Sequence, residues 1–284
     1  MSELMADTPT YTAEQVQEIG AAVAQQRRRR QRQTRIARIT IRVASLVLIA
    51  LAWQYYGSHS LAVTFSPLTK VLHDMVTMFA QDDLASALWV SVQTFIIGLV
   101  VGSLAGIVLG MLMGVFGTFD AAVGIYVFAL YATPMVTIVP LLTLWLGFGT
   151  SAQLLITILF VVFPVSITVF NGVRHVDKGL LEVGESFCAS RVQVWRHIVL
   201  PSAVPFIITG VSQGVAMGLV GMFIAEISTA LSGLGAVLTA QANAYHTSKV
   251  LAIILIIMAL GTLFRTLVGL AQRKLTPWFA QSNS

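Results

Sequence analysis

The chain has 284 residues, of which 56% are hydrophobic and only 10% charged, with a mean hydropathy of +0.83. These values exclude a soluble domain with a wetted surface and place the chain among polytopic membrane proteins. The net charge of +5 does not point to nucleic acid, because eight of the seventeen basic residues are arginines between Arg27 and Arg42, directly before the first apolar run, where they set topology.

Residues 1–35 read as an extension of their own. Thr12 and Gln15 have the spacing of a capping box, and "TAEQVQEIGAAVAQQ" then continues as a polar helix into the arginines. The expectation is a solvated topology determinant that touches anionic lipid. A first apolar run, 40–57, closes with the interfacial pair Tyr55 and Tyr56. No cleavable signal is evident, since no A-x-A-like site follows that run.

The next segment, 58–85, contains Ser66-Pro67 as a cap and first-turn proline. Leu68, Val71, Leu72, Met75 and Phe79 then recur at helical spacing, predicting a short helix flat at the outer interface with Lys70, His73 and Asp74 toward water. His59 and His73 stand fourteen residues apart without a third ligand, so no metal site is expected.

Further apolar blocks lie at 86–117, 121–147, 150–170, 199–229 and 248–271, giving six predicted spans. In the second, Gly98, Gly102, Gly106, Gly110 and Gly114 form a stripe that predicts close helix packing within or between subunits. The third carries Pro134 and Pro140, two interior prolines that break or kink a helix and free carbonyls for a wet cavity or a neighbour. The fifth carries Glu226, the one carboxylate inside an apolar part of a span, equally consistent with a functional and a structural role. The arginine cluster puts the amino terminus inside, and six crossings put 171–198 and the 276–284 tail on the same side.

Between spans four and five the chain turns polar over "LLEVGESFCASRVQVWRHIVLP". Asp177 caps a first helix through Leu180, Leu181, Val183, Gly184 and Phe187, with Glu182, Glu185 and Ser186 at polar positions. Ser190 and Gln193 form a second capping box. The prediction is a helical hairpin, about 177–198, with a turn at 188–190, serving as a docking element. Cys188, the only cysteine, lies in that turn, so no disulfide staples the chain.

The same residues resemble the E-A-A-x(3)-G-x(9)-I-x-L-P signature of permease subunits of bacterial ATP-binding-cassette importers. Glu182, Ile198, Leu200 and Pro201 stand at its fixed positions, and Ala189-Ser190 match the Ala-Ser that often follows its glycine. "PMVTIVPLLTLWLGFG" and Glu226 with Gly233-Leu234-Gly235 are similar to the nitrate/sulfonate/taurine branch. Val183-Gly184 replaces the alanine pair, and Cys188 replaces the turn glycine. A cysteine at positive φ costs on the order of 1–2 kcal/mol, which predicts a reshaped turn.

The resemblance implies an all-α integral membrane protein of six transmembrane helices, with a permease domain at 36–275, in a bacterial inner membrane with both termini cytoplasmic. It further implies two permease copies forming the pathway, cytoplasmic ATPase subunits on the hairpins and an external substrate-binding protein. Carried over, the coupling residues are Glu182, Gly184, Ser186, Cys188, Ala189 and Ser190. Thr133, Thr137, Ser166, Gln213 and Glu226 are the candidate pathway residues. None of the four lysines follows a G-x-x-x-x-G motif, so ATP is hydrolysed elsewhere, and no cofactor is expected. The implied solute is a small anion such as a sulfonate, taurine, nitrate or bicarbonate. The alternatives are an aromatic carboxylate or vitamin precursor, or an ATP-independent secondary carrier.

Overall fold

The computed structural model describes residues 37–61, 64–81 and 84–275. The capping box at Thr12, most of the arginine cluster and the 276–284 tail lie outside the described residues. The chain divides into two units, Met1–Ser60 and Leu61–Ser284. In the first, α1 (Ala37–His59) is a single apolar helix with Leu46, Leu48 and Ile49 exposed. At its end His59 Nδ1 contacts the Tyr55 carbonyl at 2.7 Å and its ring stacks on Tyr55, an arrangement that serves the helix terminus.

The second unit is entirely helical among the described residues. It runs α2 (Leu68–Gln81), α3 (Leu84–Val115), α4 (Gly117–Ala132), α5 (Met135–Leu146), α6 (Thr150–Arg174), α7 (Lys178–Ser186), α8 (Arg191–Thr229), α9 (Leu234–Asn243) and α10 (Thr247–Leu275). Helix α2 packs against α10 and α3 through Val71 and Met78, both fully buried, while Leu72 and Phe79 are exposed. The buried face is therefore turned from the predicted one, and Asp74 is half-buried, because packing against two helices selects a different stripe from an interfacial pose.

The core is α6, held between two glycine seams. Gly98, Gly102, Gly106, Gly110 and Gly114 of α3 lie against Thr157, Val161, Val165, Val169 and Val173 of α6, with the same residue offset at every step. A Cβ at Gly102 would come within 2.9 Å of the Ile158 carbonyl and one at Gly106 within 2.7 Å of the Val162 carbonyl. Each glycine costs about 1 kcal/mol of helix propensity relative to alanine, and the close approach with interlocking valines offsets it. The same valines also meet α8, where Gly214 and Gly218 receive Val161 and Val165, while Gly221 receives Phe160. The predicted seam is thus internal to the chain, and a second seam mirrors it.

The registers settle the path of the chain. Numbers rise together along α3 and α6, so these helices are parallel, and the chain from Val115 to Thr150 must return across the bundle. That return is the pair α4 and α5, bent by 95°. Among the described residues five helices are long and apolar enough to cross a membrane singly, and six with the bent pair counted as one span. The break lies at Thr133, which is extended (ψ 135°), and Pro134. Pro140 does not break the chain, because it occupies the first turn of the helical part of α5, where no intrahelical donor is needed.

Helix α8 runs antiparallel to α6, since Phe206 packs on Gly172 and Phe160 on Gly221. The second hairpin helix and the fifth span are one 39-residue helix. They join through a widened turn, Trp195–Val199, in which the Leu200 N–H donates to the Trp195 carbonyl. The widening falls immediately before Pro201, whose ring would clash with the carbonyl four residues earlier in a regular helix.

Candidate coupling hairpin and membrane pathway

The hairpin is closed by its own polar groups. Asp177 Oδ1 accepts from the Gly179 N–H at 2.8 Å, which caps α7. Both halves of the second box form: the Ser190 N–H donates to Gln193 Oε1 at 2.8 Å, and the Gln193 N–H to Ser190 Oγ at 3.4 Å. At the end of α7 the Ala189 N–H donates to the Gly184 carbonyl at 3.0 Å and the Cys188 N–H to the Glu185 carbonyl at 2.8 Å, with Cys188 at φ 52°. This is a Schellman ending with cysteine in the left-handed position that glycine usually fills. The turn keeps its shape, contrary to the reshaping expected, because two backbone bonds and an exposed side chain tolerate the strain.

Of the six predicted coupling residues, Glu182, Ser186, Cys188 and Ser190 are exposed and Ala189 is half-buried. Gly184 is buried: its Cα faces Ile198 Cδ1 and Val194 Cγ2, which a Cβ would meet at 3.0 and 3.3 Å. Its role is to let the two hairpin helices approach. Along the outer faces stand Leu180, Val183, Phe187 and Val192, with Phe187 82% exposed. Large apolar side chains are thus left open on an element capped at the start of both its helices.

The hairpin end of the bundle also carries an ion pair absent from the sequence reading. Arg174, the last residue of α6, contacts Asp120 Oδ2 at 2.5 Å, and its guanidinium lies 5.2 Å from the Phe170 ring centroid. Only the structure brings these residues together, since fifty-four positions separate them.

The pathway candidates separate into two groups. Thr133, Thr137 and Gln213 are exposed. Thr133 and Thr137 flank the bend and donate to the carbonyls of Ala129 (2.9 Å) and Pro134 (2.7 Å). Gln213 Oε1 accepts from Thr168 Oγ1 at 2.8 Å. Ser166 and Glu226 are fully buried among the helices of this chain. Ser166 donates to the Phe163 carbonyl at 2.9 Å.

Glu226 instead organises the opposite end of the bundle. Its Oε2 accepts from the Gly235 N–H at 2.8 Å, while Ser91 Oγ of α3 accepts from the Leu234 N–H at 2.8 Å. Two of the unpaired donors at the start of α9 are thereby satisfied, and the carboxylate sits at the favourable end of the helix dipole. Gly233, at φ 86°, lies so close that a Cβ would land on the carboxylate. Gln153, fully buried on α6, donates to Thr229 Oγ1 at 2.8 Å. Ser91, Gln153 and Thr229 were missed by sequence reasoning, since a serine, a glutamine and a threonine in apolar helices carry no motif. Among the described residues no group of three or more His, Cys, Asp or Glu could hold a metal ion.

Comparison with known proteins gives a consistent result. The model of the family "binding-protein-dependent transport system inner membrane component" matches residues 98–277. The putative aliphatic sulfonates transport permease protein SsuC of Bacillus subtilis is 30% identical over 236 residues, covering 82% of this chain and 84% of that protein. The taurine transport system permease protein TauC of Escherichia coli is 28% identical over 254 residues, 86% of this chain and 91% of that one. The riboflavin transport system permease protein RibX of Chloroflexus aurantiacus is 28% identical over 52% of this chain and 56% of its own. In fold, the chain is similar to a solved amino acid ABC transporter chain, with a TM-score of 0.60 at 17% identity, covering 71% of this chain and 98% of that one.

Proposed function

Because the chain belongs to the family of binding-protein-dependent transport system inner membrane components, the multi-pass permeases of ATP-binding-cassette importers, we propose that its 177–198 hairpin is the seat of the ATPase. The observation that carries this reading is the row Leu180, Val183, Phe187 and Val192, left open on an element whose backbone is fully capped. Glu182, Ser186, Cys188, Ala189 and Ser190 lie on or beside that row and supply its polar rim. Closure of the ATPase subunits on ATP favours one arrangement of the spans over the other, and the hairpin is where that difference in free energy enters.

The hairpin end faces the cytoplasm, as do both termini, because lysine and arginine gather there and in the 27–42 cluster. Residues 36–275 form the permease proper, and 1–35 and 276–284 flank it, the former against anionic lipid. Two copies enclose the pathway, which a substrate-binding protein loads from outside. Thr133, Thr137 and Gln213 contact the solute. Gln213 shares a hydrogen bond with Thr168 and keeps amide capacity to spare for a polar solute, in a bundle whose central spans carry no arginine.

The solute is a small sulfonate of the taurine type. The SsuC and TauC relatives, aligned over more than four-fifths of each chain, support it. A second reading, an uncharged or vitamin-like solute, draws on the RibX relative, which aligns over about half of the chain. Reconstitution into liposomes with its cognate ATPase and binding protein tests the reading, with labelled taurine and ethanesulfonate as probes. Uptake of either should require ATP and the ATPase, and Glu182→Lys should remove the ATPase on copurification. Uptake indifferent to the ATPase, or a variant that keeps both subunit binding and transport, overturns the docking assignment. Uptake of riboflavin with exclusion of both sulfonates replaces the solute.

A further inference from the structure

Building on the hairpin as the ATPase seat, we infer that Asp120 and Arg174 form the joint through which movement of the hairpin is passed to the bent span α4–α5. Three helices make a block: α6 is locked to α3 and α8 by the two glycine seams, and the hairpin hangs from the ends of α6 and α8. Only His175, Val176 and Asp177 separate Arg174 from α7. The bent span is outside the seams. It meets the block through apolar clusters, in which Val127 packs with Met113, Phe163 and Phe170, and Phe128 meets the Phe170 ring edge-on. Such contacts are non-directional and let one element slide on another. The ion pair fixes where along α6 the span is held.

The local structure is built around that contact. Asp120 opens a widened turn, Asp120–Gly124, and its carboxylate lies over Gly124 where a Cβ would strike Oδ1. Widened turns of this type concentrate at functional sites. On the other side Arg174 is held by the carboxylate and by the face of Phe170, and it is still 51% exposed in its side chain. His73 and Asp74, by contrast, pair as immediate chain neighbours. Asp120 and Arg174 are positioning residues and meet no solute.

Each charge also favours its own helix end, Asp120 near the start of α4 and Arg174 at the end of α6, so a purely local role must be told apart from a joint. The measurement is amide hydrogen exchange of the complex with its ATPase subunits, nucleotide-free and trapped with ATP and vanadate. In the parent, nucleotide should change exchange both in 177–190 and in 117–146. In Asp120→Asn the hairpin response should persist while that of 117–146 shrinks about tenfold. Arg174→Gln and the double variant should do the same and no more, whereas Asp120→Glu should keep the response. Effects that multiply in the double variant mean two independent helix ends and overturn the joint, as does a full response of 117–146 in Asp120→Asn. Loss of the ATPase subunits from Asp120→Asn makes the pair a structural stay and overturns it too. A parent whose hairpin ignores nucleotide refutes the docking assignment, and the joint falls with it.

Discussion

The two polar turns of the bundle, the hairpin at one end and the Ala230–Gly235 turn at the other, solve the same problem in opposite ways. Each follows a long helix and each contains a non-glycine residue at positive φ, Cys188 and Ala230. At 230–235 the polar groups turn inward: Glu226, Gln153 and Ser91 are fully buried, and their bonds end on the turn and its neighbours. At 177–198 the polar groups cap only the hairpin itself, and its large apolar side chains point away from the bundle. The first turn spends its polar groups on this chain's own helices. The second leaves apolar side chains open, which fits the ATPase seat proposed above.

The sharpest way to break that contrast is Phe187→Asp. A side chain 82% exposed contributes little to the fold of this chain, so thermal stability of the isolated permease should not change. If Phe187 is an anchor in the ATPase, the change should weaken ATPase binding by about 2–4 kcal/mol, or roughly 30- to 1,000-fold. Copurification and titration of the ATPase subunits measure it. Lost stability with retained binding would put Phe187 on the structural side.

The opposite turn should respond in the reverse sense. Gly233 has φ 86° and ψ −179°, a conformation essentially confined to glycine, and its Cα faces the Glu226 carboxylate. Gly233→Ala should therefore lower stability by about 3 kcal/mol, from strain plus displacement of the carboxylate. Glu226→Leu removes the acceptor for the Gly235 N–H and leaves a buried donor unpaired, costing about 2 kcal/mol. Glu226→Gln keeps an acceptor oxygen in the same shape and should cost less than about 1 kcal/mol. Denaturation in mixed micelles ranks the three, and none should alter ATPase binding by the hairpin. Equal loss in Gln and Leu would show that the charge, rather than the acceptor, holds the turn.

The hairpin was legible in the sequence because its signals are local: Asp177, Ser190 and Gln193 cap within three residues of their targets. The glycine stripe was legible for the same reason, as a four-residue period. Its partner was not, since matching Gly98 through Gly114 to Thr157 through Val173 depends on parallel register between distant helices. The bend at Thr133–Pro134 was signalled by proline. Which of the two prolines would break the chain depended on where the next helix started, and tertiary contacts of α5 decide that. Glu226 was flagged as costly, yet its role emerged only with Ser91 and Gly235, each on another helix. The Asp120–Arg174 pair left no trace, because a charge at the end of an apolar run reads simply as an interface.

Cys188→Gly carries the smallest effect and separates strain from sequence preference at the hairpin tip. A non-glycine residue at φ 52° costs about 1–2 kcal/mol, whereas glycine loses about 0.5–1 kcal/mol more backbone entropy on folding. The first term is the larger, so the substitution should stabilise the turn by roughly 0.5–1 kcal/mol, slowing amide exchange of 184–190 by about two- to fivefold. Cys188→Ala keeps the Cβ and the strain, and should leave exchange where it is. If alanine and glycine slow exchange alike, the sulfur rather than the backbone is the source of the cost. If neither does, the two Schellman bonds from Cys188 and Ala189 already hold the turn as firmly as its neighbours allow, and the left-handed cysteine carries no stored strain to release.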